Sequence, residues 1–210
     1  MSAHDPIELA AARPDFAAIA AWIPKGASVL DLGCGDGSLL RHLQETRKIH
    51  GYGVEISDEN LVACIRNGVN VIQDDIDSGL SGFETQSFDY VILSQTLQAT
   101  RHTEALVREI LRVGREGIVS FPNFGHWKAR LSVLRGHMPV SDELPYQWYD
   151  TPNVHLCTLH DFEDFCAQCQ VQILERRVMT RHGVEIHRLR NLRGSTAVYR
   201  FKRVASDLSA

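Results

Sequence analysis

The sequence predicts an α/β protein built on a doubly wound, mostly parallel β-sheet with helices on both faces. Apolar runs of strand length alternate with amphipathic stretches up to residue 122, which is typical of βαβ units. A glycine-rich loop, VLDLGCGDG at residues 29–37, joins the first strand to a helix. The length of 210 residues, with 44% hydrophobic and 23% charged residues, suits one core. We therefore expect a single domain over residues 1–210.

The first elements are a short helix and the strand that leads into the glycine loop. Residues 15–23 are good helix formers and are followed by Pro24, so a short helix is expected beside the sheet. Residues 28–33 are apolar and predict strand one, and residues 37–46, with leucines at helical spacing, predict the next helix. A strand, a glycine loop and a helix in this order form a ligand cradle at the carboxyl end of the strand.

The glycine spacing distinguishes between two classes of ligand. A dinucleotide loop has the pattern G-x-G-x-x-G/A, but counted from Gly33 its last position is Ser38. The observed pattern is D-x-G-x-G-x-G from Asp31, and the carboxylates of Asp36 and Glu55 would repel a pyrophosphate. A ligand with an ammonium, a sulfonium and a ribose diol is compatible with them. The loop resembles the first motif of the class I methyltransferases, which implies S-adenosylmethionine as the ligand.

The second strand is predicted to end in an acid of the same site. Residues 49–57 alternate as a strand does, and Glu55 lies 20 residues after Gly35. From that place a carboxylate accepts hydrogen bonds from both ribose hydroxyls. Asp58 is predicted to be the N-cap of the following helix, which Gly68 ends.

The third strand leads into a cluster of acids. Residues 69–72 predict this strand, and QDDID follows at residues 73–77. An acid followed by an apolar residue at this place resembles the adenine contact of class I methyltransferases. The resemblance implies that Asp75, through its side chain, or Ile76, through its backbone, serves the exocyclic amine. Asp74 is the competing choice.

The fourth strand is predicted to approach the methyl group of the cofactor. Residues 87–98, SFDYVILSQTLQ, contain this strand, which ends at Ser94 and Gln95. In class I methyltransferases the residues just after this strand face the methyl group. The [N/D/S]-P-P-[Y/F] box of amino-directed nucleic-acid methyltransferases is missing here, which disfavours that chemistry. An amphipathic helix around residues 106–111 and a fifth strand at residues 117–122 complete the repeat.

The last part of the chain is basic. It predicts a helix at residues 160–169, a strand at residues 170–179 and a last strand at residues 196–203. Residues 176–203 hold nine Lys and Arg against one acid, a net charge of +8 against −12 for the rest of the chain. We expect a solvated strand pair here. Nucleic-acid binding is the alternative, disfavoured because no exposed aromatic residues are interleaved with the basic ones.

Residues 123–157 form an aromatic, proline-rich segment that does not fit the strand–helix repeat. Two interpretations remain open from the residues. The segment is a core helix with a loop that covers the sheet edge, or it is a lid or partner-binding insertion, because aromatic residues are enriched at interfaces. The three residues assigned to a protein partner are Tyr146, Trp148 and Tyr149.

Composition excludes several other classes of protein. No run of 18 apolar residues spans a membrane, and the N-terminus lacks the order of a signal peptide. Five cysteines without framework spacing indicate reduced thiols in a cytosol. Cys166 and Cys169, with His155, Cys157 and His160 nearby, match no usual zinc spacing. They are interpreted as half-buried thiols, and no metal site is predicted.

The chain as a whole is similar to the MetW-type methionine biosynthesis proteins. The blocks VLDLGCGDGSLL, GYGVEIS, SFDYVILSQTLQ, GIVSFPNFGHW and the segment from MPV to HDFEDFC carry this resemblance, over roughly residues 13–175. It implies a Rossmann-like class I methyltransferase fold, a seven-stranded sheet whose last strand inserts antiparallel between strands five and six. It also implies a cytoplasmic bacterial protein that acts with a homoserine O-acyltransferase. An active methyltransferase with an unidentified acceptor is the alternative.

The expected site therefore combines the loop with the ends of four strands, and its cofactor is S-adenosylmethionine or S-adenosylhomocysteine. The predicted cofactor-binding residues are Asp31, Gly33, Cys34, Gly35, Gly37, Glu55, Ile56, Asp75, Ile76, Ser94 and Gln95. Cys34 is interpreted as a packing residue of the loop. No catalytic residue is assigned. His126 and His155 are the only acid–base candidates near the mouth of the site.

Overall fold

Seven strands form one sheet in the computed structural model, which describes residues 13–142 and 144–204. The strands are β1 (Ser28–Leu32), β2 (His50–Glu55), β3 (Asn70–Gln73), β4 (Phe88–Ser94), β5 (Gly114–Pro122), β6 (Val171–Met179) and β7 (Thr196–Arg203). Their order is β3-β2-β1-β4-β5-β7-β6. Neighbours from β3 to β5 are parallel, and β7 is antiparallel to both β5 and β6. The predicted fold class and the inserted antiparallel last strand are confirmed.

Helices cover both faces of the sheet. They are α1 (Pro14–Trp22), α2 (Ser38–Arg47), α3 (Asp58–Arg66), α4 (Thr103–Val113), α5 (Trp127–Leu134), α6 (Leu159–Gln168) and α7 (Arg190–Arg193), with single 3₁₀ turns at Ile76–Ser78 and Leu97–Ala99. Successive strand residues point to opposite faces, and the core accordingly divides into two clusters. Leu30 belongs to the cluster with α4 and α6, whereas Val29 belongs to the cluster with α1 and α2.

The cap of α3 is one residue earlier than the sequence predicted. Ser57 has extended backbone angles (φ −76°, ψ 123°), and its side chain accepts a hydrogen bond from the Asn60 N–H at 3.5 Å. Asp58, predicted as the N-cap, is instead the first helical residue. Its negative charge there interacts favourably with the positive end of the helix dipole.

The expectation of a solvated basic strand pair is wrong. Ala197, Val198, Tyr199 and Phe201 are buried because β7 lies inside the sheet, between β5 and β6. Arg200 on the same strand forms ion pairs with Glu116, at 3.2 Å, and with Glu175. A large share of the basic stretch is therefore structural.

The aromatic segment that follows β5 is largely exposed. After α5, the described residues from 135 to 157 form no helix or strand. Trp148 and Tyr149 are 72% and 70% exposed, and Tyr146 is 46% exposed. These three rings are therefore not core residues.

Among the residues described, no helix is both long and apolar enough to cross a membrane.

Candidate cofactor site

A cavity of about 390 Å³ lies at the carboxyl ends of β1, β2 and β4 and beside the turn that follows β3. Ligands of open α/β sheets bind at this edge. Seven of the predicted cofactor residues line the cavity: Gly33, Gly35, Glu55, Ile56, Asp75, Ile76 and Gln95. The sequence analysis missed Val54, Asn60, Asp77, Thr96, Ala99 and Thr100, which also line it.

The three loop glycines have different roles, although all three have a positive φ. A Cβ on Gly33 would lie 2.6 Å from Thr96 Cγ2, and one on Gly37 would lie 3.0 Å from Cys64 Sγ. Protein packing therefore requires glycine at both positions. A Cβ on Gly35 would meet no atom within 4 Å. Because Gly35 lines the cavity, that open space is the space available to a ligand.

Glu55 fixes the loop to the end of β2. Its Oε2 accepts the Gly35 N–H at 2.8 Å, and its Oε1 accepts the N–H groups of Ile56 at 3.0 Å and Ser57 at 2.9 Å. The carboxylate is buried, with 8% of the residue exposed. Each carboxylate oxygen has two lone pairs, so Glu55 retains acceptor capacity toward a ribose hydroxyl.

Asp31 is a buried acid without a hydrogen-bond partner for its Oδ1 among the described residues. Burial raises the pKa of this carboxyl to about 8; the nearby Arg13 opposes the rise, and Asp15 and Glu55 add to it. The residue lies at the base of the glycine loop, outside the cavity lining. An orphaned carboxyl of this kind suits a cationic group brought by a ligand.

The acids after β3 both line the cavity, so the structure leaves the choice between them open. Asp74 Oδ1 accepts the Asp75 N–H at 2.8 Å, and Asp75 Oδ1 accepts the Asp77 N–H at 3.0 Å. Both side chains shape the turn at Ile76–Ser78. Ile76 lies beside them in the cavity wall and is partly buried against the core.

Ser94 does not line the cavity, because its side chain faces α1 instead. Its Oγ hydrogen-bonds to Asp15 Oδ2 at 2.8 Å and to Arg13 at 2.7 Å. Asp15 also accepts from Ser120 Oγ at 2.8 Å and pairs with Arg13 at 3.0 Å. Gln95, next along the chain, does reach the cavity and has a left-handed backbone with φ of 55°.

Cys34 and Gly37 are also outside the cavity lining, together with Asp31 and Ser94. The Cys34 thiol lies 3.7 Å from the Cys64 sulfur, and burial raises the pKa of both thiols. A protonated, buried thiol packs as a small apolar group, which agrees with the packing interpretation of Cys34.

The other candidate residues lie in two further cavities. His155 lines an apolar cavity of about 280 Å³, and His126 lines a cavity of about 740 Å³ at the end of β5. Neither histidine lines the cofactor cavity, so neither is an acid–base group at that site. Burial raises the pKa of Cys157 and Cys166 to about 12. In the part of the chain that the structure describes, no three His, Cys, Asp or Glu residues form a group that could hold a metal ion.

The cavity has the features that S-adenosylmethionine requires. Gly35 leaves open space beside the loop, and Glu55 has acceptor capacity for the ribose. Acids at Asp74 and Asp75 are acceptors for the adenine amine. The residues therefore fit this cofactor.

Solved structures of similar fold include S-adenosylmethionine-dependent methyltransferases. One, from Thermotoga maritima and described as a possible histamine N-methyltransferase, has a TM-score of 0.67 at 18% identity, over 91% of this chain and 88% of that one. Another, from Mesorhizobium loti, has a TM-score of 0.66 at 16% identity, over 90% of this chain and 98% of that one. At such identities the likeness shows the fold alone.

Sequence comparison is more specific. A curated relative from Rhodopirellula baltica, the bifunctional methionine biosynthesis protein MetXA/MetW, is 40% identical over 194 residues, which are 86% of this chain. The chain spans only 31% of the length of that relative. The sequence profile of the methionine biosynthesis protein MetW matches residues 13–201. This chain therefore belongs to the MetW family of methionine biosynthesis proteins.

Proposed function

We propose that this protein binds S-adenosylmethionine or S-adenosylhomocysteine and, in the cytoplasm, regulates a homoserine O-acyltransferase according to the level of that ligand. The observation that carries the proposal is the fused relative, in which a MetXA part and a MetW part share one chain. MetXA is interpreted here as the homoserine O-acyltransferase. Two activities joined in one polypeptide have a high effective concentration for each other, which favours association of the separate proteins.

The cofactor cavity supports the regulatory part of the proposal. S-adenosylmethionine is made from methionine, so its binding would report the level of the end product of the pathway. Regulation requires a coupling free energy between the cofactor site and the partner surface. The [N/D/S]-P-P-[Y/F] box of amino-directed nucleic-acid methyltransferases is missing after β4 in this chain, where Ser94 faces α1.

The partner surface is assigned to Tyr146, Trp148 and Tyr149 within the 123–157 insertion. The rings of Trp148 and Tyr149 contact each other edge to face, with centroids 5.7 Å apart, and both are largely exposed. Pro145 and Pro152 flank these residues and restrict the backbone. Stiffened aromatic residues lose little entropy on docking and are frequent interface hot spots.

Co-purification with the native acyltransferase tests the proposal. We expect a complex whose acyltransferase rate changes when S-adenosylmethionine is added, with Glu55→Ala as the matched variant that binds partner but not cofactor. A complex that never forms refutes the partner assignment. A stable complex whose rate ignores the cofactor refutes the regulation.

An active methyltransferase is a second candidate, and the apolar cavity favours it. This cavity of about 280 Å³ begins at Leu97 and Gln98, just past Gln95, and is lined by Phe121, Phe162 and Phe165 among others. Gln98 Oε1 is buried there without a partner among the described residues. A small apolar acceptor with one hydrogen-bond donor fits such a space. Release of S-adenosylhomocysteine from candidate acceptors of this kind is the measurement, and it is independent of the acyltransferase.

A further inference from the structure

A third cavity, of about 740 Å³, opens at the carboxyl end of β5. Its walls come from the start of α5, residues 139–142, 144 and 145, the chain after β6, and α7. It shares no lining residue with the cofactor cavity. Its volume lies in the range of roughly 300–1,000 Å³ that is usual for small-molecule sites.

The cavity lining is cationic. Lys128, Arg181 and Arg193 line it from α5, the chain after β6 and α7, and Asp142 is the only acid among the described residues of the lining. Within residues 13–142 and 144–204, neither Lys128 nor Arg193 forms an ion pair. Two cations without an ion-pair partner in one cavity create a positive potential that attracts anions.

Part of the cavity lining beside these charges is apolar. Trp127, Phe124, Pro139 and Val140 line it. Trp127 is 47% exposed, and the Lys128 ammonium lies 5.9 Å from the centroid of its ring. A ligand that fills both halves of the cavity carries an anionic group on an apolar body.

Asp142 already pairs with one of the three cationic side chains. Its carboxylate pairs with Arg181, across the mouth of the cavity, and the two side chains are 67% and 53% exposed. An ion pair this exposed contributes little to stability. A ligand carboxylate can therefore replace Asp142 on Arg181 at small cost.

We propose that this cavity binds a small carboxylate-bearing metabolite with an apolar body. Arg193 and Arg181 hold the carboxylate, since the guanidinium fork matches two carboxylate oxygens. Lys128 supplies a further positive charge, and Trp127 packs on the apolar body. This site does not depend on cofactor binding or on the acyltransferase.

The test compares 3-phenylpropionate with its uncharged amide, 3-phenylpropanamide, as probes. Binding is followed by saturation-transfer NMR of the probe and by the fluorescence of the protein's tryptophans. We expect the carboxylate to bind at least about tenfold more tightly than the amide, because a charge-assisted hydrogen bond is lost in the amide. Equal affinity for the two probes, or no binding of the carboxylate at millimolar concentration, overturns the proposal.

Matched variants locate the site. Arg193→Gln is expected to weaken binding of the carboxylate probe at least about tenfold. Arg188 is an exposed arginine outside the cavity, so Arg188→Gln should leave the binding of this probe unchanged. Asp142→Asn removes the competing carboxylate and is expected to tighten binding. Thermal unfolding of each variant shows that it is folded. The assignment is refuted if Arg188→Gln loses as much affinity for the carboxylate probe as Arg193→Gln does. Weaker binding of the probe by Asp142→Asn also refutes it.

Discussion

Gly35 is the residue at which the loop backbone meets the cofactor cavity. We expect Gly35→Val to abolish binding of S-adenosylmethionine, because the side chain would fill the only open space beside a loop glycine. A valine is also strained at φ of 57°. Calorimetric titration of the folded variant measures the effect. Unchanged affinity would show that the ligand does not lie against Gly35.

Gly68→Val is the control variant for the effect of backbone strain alone. Gly68 has φ of 71° and, like Gly35, no atom within 4 Å of an added Cβ, but it lies at the end of α3 outside the cavity. The Gly68→Val protein should lose about as much stability as Gly35→Val and keep its affinity for the cofactor. Equal loss of binding in both variants would assign the Gly35 effect to unfolding.

Glu55 is expected to matter more for cofactor affinity than Asp75. Glu55→Ala removes the ribose acceptor and also the 2.8 Å bond that holds the Gly35 N–H, whereas Asp75→Ala removes one bond at most to the adenine amine. A charge-assisted bond is worth about 1.5–3 kcal/mol, so we expect at least a tenfold loss for Glu55→Ala. Titration of each variant with the cofactor shows which substitution costs more affinity. A larger loss for Asp75→Ala makes the acid after β3 the main anchor.

We expect Asp31 to make cofactor binding dependent on pH. Its pKa of about 8 means that the free protein carries the neutral carboxyl at pH 7. An ammonium group beside it favours the carboxylate, so binding releases a proton and affinity rises from about pH 6 to pH 8. Calorimetry in buffers of different ionisation enthalpy measures that proton. In Asp31→Asn the proton release should vanish; its persistence would point to another group.

The same residue affects stability in the opposite direction. A raised pKa in the folded state contributes stability that is complete below the unfolded pKa of 3.8 and is lost as the pH rises toward about 8. We expect Asp31→Asn to flatten the dependence of Tm on pH over that window. At pH 8 its Tm should exceed that of the parent by about 2–4 °C per kcal/mol removed. A parallel pH curve for the two proteins would contradict this.

At the level of elements, α1 is held to the sheet by the buried acid Asp15. Burial by itself raises the pKa of Asp15, but Arg13 with the hydroxyls of Ser120 and Ser94 holds it below its ordinary value. Its stabilising effect is therefore present above pH 4 and is lost as the pH falls below that value. We expect Asp15→Asn to lower the free energy of unfolding by about 1.5–3 kcal/mol at pH 7, and by less at pH 3. Chemical denaturation at the two pH values measures this difference.

The aromatic segment is predicted to be a partner surface and not a lid. Trp148→Ala should weaken the complex with the acyltransferase by at least about 2 kcal/mol, roughly 30-fold in Kd, and leave cofactor affinity intact. Ile65→Ala is the control, since Ile65 is 69% exposed on the distant helix α3. Loss of cofactor affinity with an intact complex would show that the segment is a lid.

Local patterns predicted most of the strands and the cavity residues that follow them. Gly33, Gly35 and Glu55 were found because each lies at a fixed offset from a strand end. The direction of Ser94 was not predictable, because it depends on Asp15, 79 residues away in the sequence. The burial of the strand at residues 196–203 depends likewise on the strand order. The family resemblance predicted that order, whereas the basic composition of the strand indicated exposure to solvent.

For the molecule as a whole, the position of β7 has a consequence for how the protein is made. The sheet leaves a gap between β5 and β6 that residues 196–203 fill. Until the ribosome has released those residues, two strands present unpaired edges, and such edges template aggregation. The contacts that close the gap join residues far apart in sequence, so they form late and slowly. The sheet therefore stays open until residues 196–203 have been synthesised, and proteolysis or chaperone capture is expected to act before that stage.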